Sequence, residues 1–111
     1  MTVVPWSQVD EVRPDVVVHT TPIGMNGEAT PAIDVAALPE HAVVLDAVYA
    51  HGETALVAAA VARGLRAATG LGMLLHQAAA SFAVFSGTEA PLAEMRAAIH
   101  STLGQVAPTI L

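Results

Sequence analysis

Short unbroken runs of β-branched residues alternate with helical stripes along this chain of 111 residues. Asp15-Val16-Val17-Val18-His19 is bounded by Pro14 and by the turn-prone Thr21-Pro22. Its continuous apolar character predicts a strand buried on both faces, as in a parallel sheet. Val43 to Tyr49 is a second such run. Between the two lie a Gly/Pro-rich loop, Gly24 to Pro31, and a short segment of helical character, Ile33 to Leu38. A loop of that composition at a strand end is a place where function is often carried.

The second half reads as helices around one more strand. Thr54 is placed to cap a helix running to Arg63, with Leu56, Val57, Ala60 and Val61 on its inner face. Arg63 suits the negative helix end, and Gly64 is a left-handed stop. Leu65 to Thr69 is a weakly marked third strand. Gly70-Leu71-Gly72 then turns the chain into a helix from about Met73 to Phe85, ended by Gly87. Pro91 opens a last helix with Leu92, Met95, Ile99 and Leu103 at helical spacing. The tail from 103 to 111 is expected to be loose. The order strand, strand, helix, strand, helix, helix predicts an α/β fold with a short parallel sheet and flanking helices. Three strands make half of a doubly wound domain.

Composition narrows the partners. Apolar residues make up 54% of the chain and aromatics 4%, so the core is built from Ala, Val, Leu and Ile. The formal charge is −6, and the basic residues are four scattered arginines, Arg13, Arg63, Arg66 and Arg96. No cluster follows a phosphate backbone, which argues against nucleic acid as a partner. There is no cysteine, hence no disulfide framework and no thiolate zinc site. No basic region followed by an apolar run opens the chain, and Ala55 to Ala62 is far too short for a bilayer span. The expectation is a soluble, cytoplasmic protein that does not engage a membrane.

Most motif tests fail. Gly70-Leu71-Gly72-Met73-Leu74-Leu75 opens like G-x-G-x-x-G but lacks the third glycine. There is no phosphate-binding Walker sequence, no G-x-S-x-G elbow and no H-E-x-x-H helix. His19, His41, His51, His76 and His100 show no ligand spacing and read as surface or strand-end residues. No metal site is expected.

Three segments, in order, carry a more specific message. His19-Thr20-Thr21-Pro22-Ile23-Gly24-Met25 resembles the N-A/T-T-P-x-G-M stretch of shikimate dehydrogenases. Asp46-Ala47-Val48-Tyr49, followed by Glu53-Thr54 and a helix, resembles that family's D-x-x-Y and E-T segment. Gly70-Leu71-Gly72-Met73-Leu74-Leu75-His76-Gln77-Ala78-Ala79 is similar to its G-L-G-M-L-x-x-Q-A/G-A stretch. The resemblance covers about residues 15 to 103.

That resemblance implies a partial Rossmann-like domain, the C-terminal half of a shikimate dehydrogenase NADP-binding domain, over residues 1–111. It implies an NADP-dependent oxidoreductase interconverting 3-dehydroshikimate and shikimate, in aromatic amino acid and chorismate biosynthesis. Tyr49 and Gln77 match positions that contact shikimate in the family. Ala47 and Gly70 match positions at the nicotinamide end of the cofactor. Thr20 and Thr21 match a loop that passes near the dinucleotide, and Met73 shares the helix face of Gln77. His19 stands where the family has Asn, so that loop's hydrogen bonding is not carried over. Ala47 is smaller than the residue often found there, which implies looser packing on the nicotinamide.

Elementary chemistry runs the same way. Ligands of open α/β sheets lie beyond the carboxyl ends of the strands, and Thr20, Tyr49 and Gly70 each follow a predicted strand. Gly70 lets a ring approach the backbone, and Gln77 can both donate and accept, as recognition of a polyol requires. Without the resemblance, Gln77 reads as an exposed helix residue and Tyr49 as a packed strand end.

Several parts of the family pattern are absent from this sequence. There is no S-L-S-P segment, no G-x-G-G-x-x-x-A phosphate loop and no lysine at any position. The resemblance assigns catalysis to a lysine paired with an aspartate, so no catalytic residue is assigned here. The chain alone is expected to be inactive. It is expected to work with a missing N-terminal half, or to self-associate through an exposed sheet edge. A non-catalytic docking or oligomerisation module and a quinate-preferring relative are the alternatives.

Overall fold

The segments 16–19, 43–46 and 66–69 form one parallel sheet in the computed structural model, which describes residues 2–26, 33–49 and 52–103. Its strands are β1 (Val16–His19), β2 (Val43–Asp46) and β3 (Arg66–Thr69), in spatial order β1-β2-β3. The register pairs Val16 with Val43 and His19 with Asp46, then Val43 with Arg66 and Asp46 with Thr69. All three strands therefore end level, at one edge of the sheet. The α/β reading holds, and the sheet is parallel as expected.

Helix α1 (Ala55–Ala62) connects β2 to β3. Thr54 caps it, its hydroxyl accepting from the Val57 amide at 3.4 Å. Gly64, at φ 86°, turns the chain out of the helix as its sequence position predicts. Arg63 does more than face the helix end: its Nη1 donates to the Val35 carbonyl at 2.7 Å, tying α1 to the short 3-10 segment Val35–Ala37. Helix α2 (Leu71–Ser86) begins earlier than Met73, with Gly70 as its N-cap, and ends on Gly87 at φ 69°. Helix α3 (Leu92–Leu103) follows and packs on α2. Asp34 caps Val35–Ala37 by accepting from the Ala36 amide at 2.9 Å. A second 3-10 segment, Trp6–Glu11, lies in a stretch that shows no apolar period. Part of the Gly24–Pro31 loop and all of the tail beyond Leu103 lie outside the described residues.

The core sits on one face of the sheet. Val44 and Ala67 are fully buried there, packed with Val35, Leu38, Ala42, Leu65 and the inner face of α1. That inner face is Leu56, Val57 and Ala60; Val61 is 42% exposed, against expectation. At 100° per residue Val61 falls 140° from Leu56, past the rim of the contact. Each such fully buried Leu or Val stabilises by about 1.5–3 kcal/mol relative to exposure.

The expectation that β1 is buried on both faces is corrected. Val17 packs on the core, but Val16 and Val18 are 58% and 55% exposed. The cause is architectural: α1 covers the Val17–Val44–Ala67 face, and among the described residues no element covers the opposite face at β1. In the helical half, Leu92, Met95 and Ile99 are half-buried, consistent with a stripe.

Candidate functional site

The level ends of β1 and β2 place His19 beside Asp46. Both are buried, at 3% and 1% exposure, in a chain whose other buried polar residue is Thr54 among those described. The Asp46 carboxylate collects three donors. His19 Nδ1 lies 2.9 Å from Oδ1, the Val48 amide 3.1 Å from the same oxygen, and the Thr54 hydroxyl 2.6 Å from Oδ2. A buried carboxylate persists when its lone pairs are met in this way. Thr54 thus joins the start of α1 to the end of β2, while His19 joins β1 to both.

An ionised carboxylate only accepts, so His19 carries its proton on Nδ1. Its Nε2 meets the Thr21 hydroxyl in a short hydrogen bond. The Thr21 oxygen is also 3.4 Å from the Ile23 amide, a weak contact that draws the turn together. The first residues after β1 are therefore held by a side-chain chain running Asp46, His19, Thr21. The reading of His19 as a strand-end residue holds, and the structure adds that it is buried and bonded at both ring nitrogens. A usable signal existed. Val16-Val17-Val18-His19 and Val43-Val44-Leu45-Asp46 are equal runs, and parallel pairing in register sets their polar last members opposite.

Just beyond these ends lies a recess of about 310 Å³ lined by Thr20, Thr21, Pro22, Met25, Ala47, Val48 and Tyr49. Its floor is fixed by backbone pairing, since the Ala47 amide donates to the His19 carbonyl at 2.9 Å. Three of its lining residues, Thr20, Thr21 and Tyr49, bear hydroxyls. Gly70 closes in from behind: its amide donates to the Val48 carbonyl at 3.3 Å, and its Cα faces the Ala47 carbonyl. Apolar walls with few polar groups, at the carboxyl ends of parallel strands, form the usual seat for a ligand in this architecture.

Of the residues singled out from sequence, Thr20, Thr21, Ala47 and Tyr49 line this one recess, and Gly70 abuts it. Met73 and Gln77 do not line it. They lie one turn apart on the exposed side of α2, Met73 at 54% exposure. Pro22, Met25 and Val48 line the recess without having been singled out, although Pro22 and Met25 stand within the 19–25 segment. Among the described residues no group of three or more His, Asp or Glu could hold a metal ion. Nor is any described helix long and apolar enough to cross a membrane.

Comparison with known proteins gives these positions a context. A family model described as the shikimate 5'-dehydrogenase C-terminal domain matches residues 70–100. The shikimate dehydrogenase (NADP(+)) of Rhodopseudomonas palustris strain TIE-1 is 48% identical over 101 residues, 88% of this chain and 36% of that protein. Among solved structures, quinate dehydrogenase from Corynebacterium glutamicum in complex with NAD superposes with a TM-score of 0.80 at 36% identity. The match covers 88% of this chain and 36% of that one. Shikimate 5-dehydrogenase from Thermus thermophilus, in complex with NADP(H) and shikimate, gives 0.74 at 30% identity, over 90% and 38% of the two chains. The chain spans about a quarter to little more than a third of the length of the curated relatives it matches, 36% of the Rhodopseudomonas palustris protein.

Proposed function

This chain belongs to the shikimate dehydrogenase family, of which it represents the C-terminal part, and on that premise we propose that it supplies the nicotinamide-side wall of an NADP-dependent shikimate dehydrogenase. The substrate pair is 3-dehydroshikimate and shikimate. The observation that carries the reading is the recess at the carboxyl ends of β1 and β2. It gathers Thr20, Thr21, Ala47 and Tyr49 from two separate family-like segments. Pro22, Ala47 and Val48 suit the face of a flat ring, and the hydroxyl-bearing residues suit its polar substituents.

NADPH, when bound, supplies the hydride. This chain's residues bind and orient. Thr20, Thr21, Ala47 and Gly70 would hold the nicotinamide end, with Met73 beside it on α2. Tyr49 and Gln77 would meet hydroxyls of the substrate, Gln77 from the exposed face of α2 as a second wall. Reduction of a ketone also needs a positioned group to deliver the alcohol proton. This sequence holds no lysine for that task and no glycine-rich loop for the cofactor's phosphates. We therefore read the chain as inactive alone, as the C-terminal half of the cofactor domain, and as acting in the cytoplasm with a part that provides those groups.

The test is to join the chain to the preceding part of the R. palustris relative and follow shikimate-dependent reduction of NADP. Activity that depends on Tyr49 and Gln77 supports the reading; a folded but inactive fusion rejects it. The likeness to a quinate dehydrogenase in complex with NAD favours a second reading, and quinate with NAD in the same assay decides between them. A non-catalytic docking module is the third; a folded fusion without activity toward either substrate selects it.

A further inference from the structure

We propose that His19 is a positioning residue that sets the gap between the two sides of the recess, tying Thr21 on one side to the carboxylate oxygen that also holds Val48 on the other. The inference rests on the reading of this recess as a nicotinamide-side wall, and it names what fixes that wall's shape.

The two sides of the recess come from different strands. Thr20, Thr21, Pro22 and Met25 follow β1, whereas Ala47, Val48 and Tyr49 follow β2. Both sides converge on one atom, Oδ1 of Asp46. The Val48 amide donates to it directly at 3.1 Å, and His19 Nδ1 meets it at 2.9 Å. The far ring nitrogen, Nε2, meets the Thr21 hydroxyl. The imidazole has no internal torsion, so it is a spacer of fixed length between Asp46 and Thr21. Oδ2 of Asp46 accepts from the Thr54 hydroxyl at 2.6 Å, which anchors the carboxylate to the start of α1.

This bridge is the same for either charge of the ring. A neutral imidazole donates from Nδ1 and accepts the Thr21 hydroxyl proton at Nε2. An imidazolium donates from both nitrogens, and Thr21 then accepts. Two bonds are made in each case. His19 and Asp46 are both buried, so water does not compete for their bond. An asparagine at position 19 would place its amide where Nδ1 stands and stop short of Nε2. It could satisfy Asp46 but not hold Thr21.

Two measurements test this. In the intact chain, the Hα–Hβ coupling of Thr21 should report one side-chain rotamer. In His19→Asn it should report averaging, with the signals of the core residues Val44 and Ala67 in place. Averaging in the wild-type chain, a single rotamer kept in His19→Asn, or core signals that move with it overturn the proposal. The second measurement uses the fusion to the preceding part of the R. palustris relative and reads KM for NADP, which does not depend on how much of the protein is folded. His19→Asn and Thr21→Val should each raise it by about two- to tenfold, the cost of ordering one side chain at binding. The double variant should rise no further than either single one, and Thr21→Ser should recover most of what Thr21→Val loses. Where His19→Asn does not fold, the contrast between Thr21→Val and Thr21→Ser decides alone. An unchanged KM in a single variant, or factors that multiply in the double, overturn this inference and leave the proposed wall standing. A folded fusion without activity overturns the wall and this inference with it.

Discussion

A Cβ built on Gly70 would lie 2.1 Å from the carbonyl oxygen of Ala47 and 2.7 Å from its carbonyl carbon. The backbone of Gly70 is helical, φ −66° and ψ −2°, a conformation open to any residue. Glycine is required here by space and not by conformation. The contact presses the start of α2 against the segment that floors the recess, so the wall and the helix are one rigid unit. Gly70→Ala must part them, because the obstructing atoms are backbone and cannot rotate away. The expected loss is about 1–3 kcal/mol, the range for overpacking. It should come with shifted amide signals at Ala47 and Val48. Gly87→Ala, strained by φ 69° but open to space, should cost about 1–2 kcal/mol and leave those signals in place. Urea melts with amide spectra of both variants check the contrast.

Asp46 is the second mechanical centre of the site. Asp46→Asn swaps one accepting oxygen for a donating NH₂ group among three donors: His19, Val48 and Thr54. At least one of them loses its partner while buried, at about 1–3 kcal/mol for each. Thr54→Ser keeps both the bond to Asp46 and the helix cap and should be nearly neutral. Thr54→Val loses both, with the cap alone worth about 1 kcal/mol. Equal stability of Thr54→Val and wild type in urea would show that this network does not hold α1 to β2.

The readable parts of the fold are those whose cause is local. Thr54, Gly64 and Gly87 act within one turn of themselves, so their residue types announce helix ends that the structure places where expected. The positions of β1 and β2 follow from their β-branched runs, whereas β3, Arg66-Ala67-Ala68-Thr69, carries no such run and is only weakly marked. The rest depends on contacts distant in sequence. The burial of His19 comes from Asp46, 27 residues away, and only the register brings the two together. Val16 and Val18 have the composition of a doubly covered strand, yet coverage belongs to other elements. Thr20, Thr21, Ala47 and Tyr49 stand in segments that the sequence singles out and line one recess, whereas the Thr21 contacts with His19 and the Ile23 amide have no mark in the sequence.

Tyr49 and Gln77 occupy different surroundings, and their variants should differ accordingly. Tyr49 lines the recess at 38% exposure, while Gln77 stands on the open side of α2. Neither contributes to the core, so Tyr49→Phe and Gln77→Ala should leave the melting of the chain unchanged. In the fusion with the preceding part of the relative, each should weaken shikimate use by about 1–3 kcal/mol, the cost of leaving a hydroxyl unpaired. Steady-state kinetics with shikimate varied at saturating NADP reads the effect. Unchanged kcat/KM in both variants would remove these residues from the substrate wall.

The last prediction concerns β1. It is an outer strand of the sheet, so one side of its backbone carries no ladder partner among the described residues. The same strand exposes Val16 and Val18 on the face that α1 leaves open. Beside it, Val4, Trp6, Val9 and Val12 border an apolar recess of about 380 Å³ that reaches Val16 and Val18. Unpaired backbone groups next to exposed valines form a template for strand addition, and this strand carries no lysine to discourage it. At 111 residues, with a core on one face of the sheet, the chain gains more from covering β1 than from leaving it in water. The isolated chain should therefore associate, with itself or with an added N-terminal part. Light scattering should give a mass above that of one chain, falling on dilution, and Val16→Lys with Val18→Lys should shift it toward the monomer. Amide exchange at Val16 to Val18 should slow with concentration in the wild-type chain and not in the double variant. A monomer at all concentrations with strong protection of those amides would mean that β1 is already covered, and this account of the edge would be wrong.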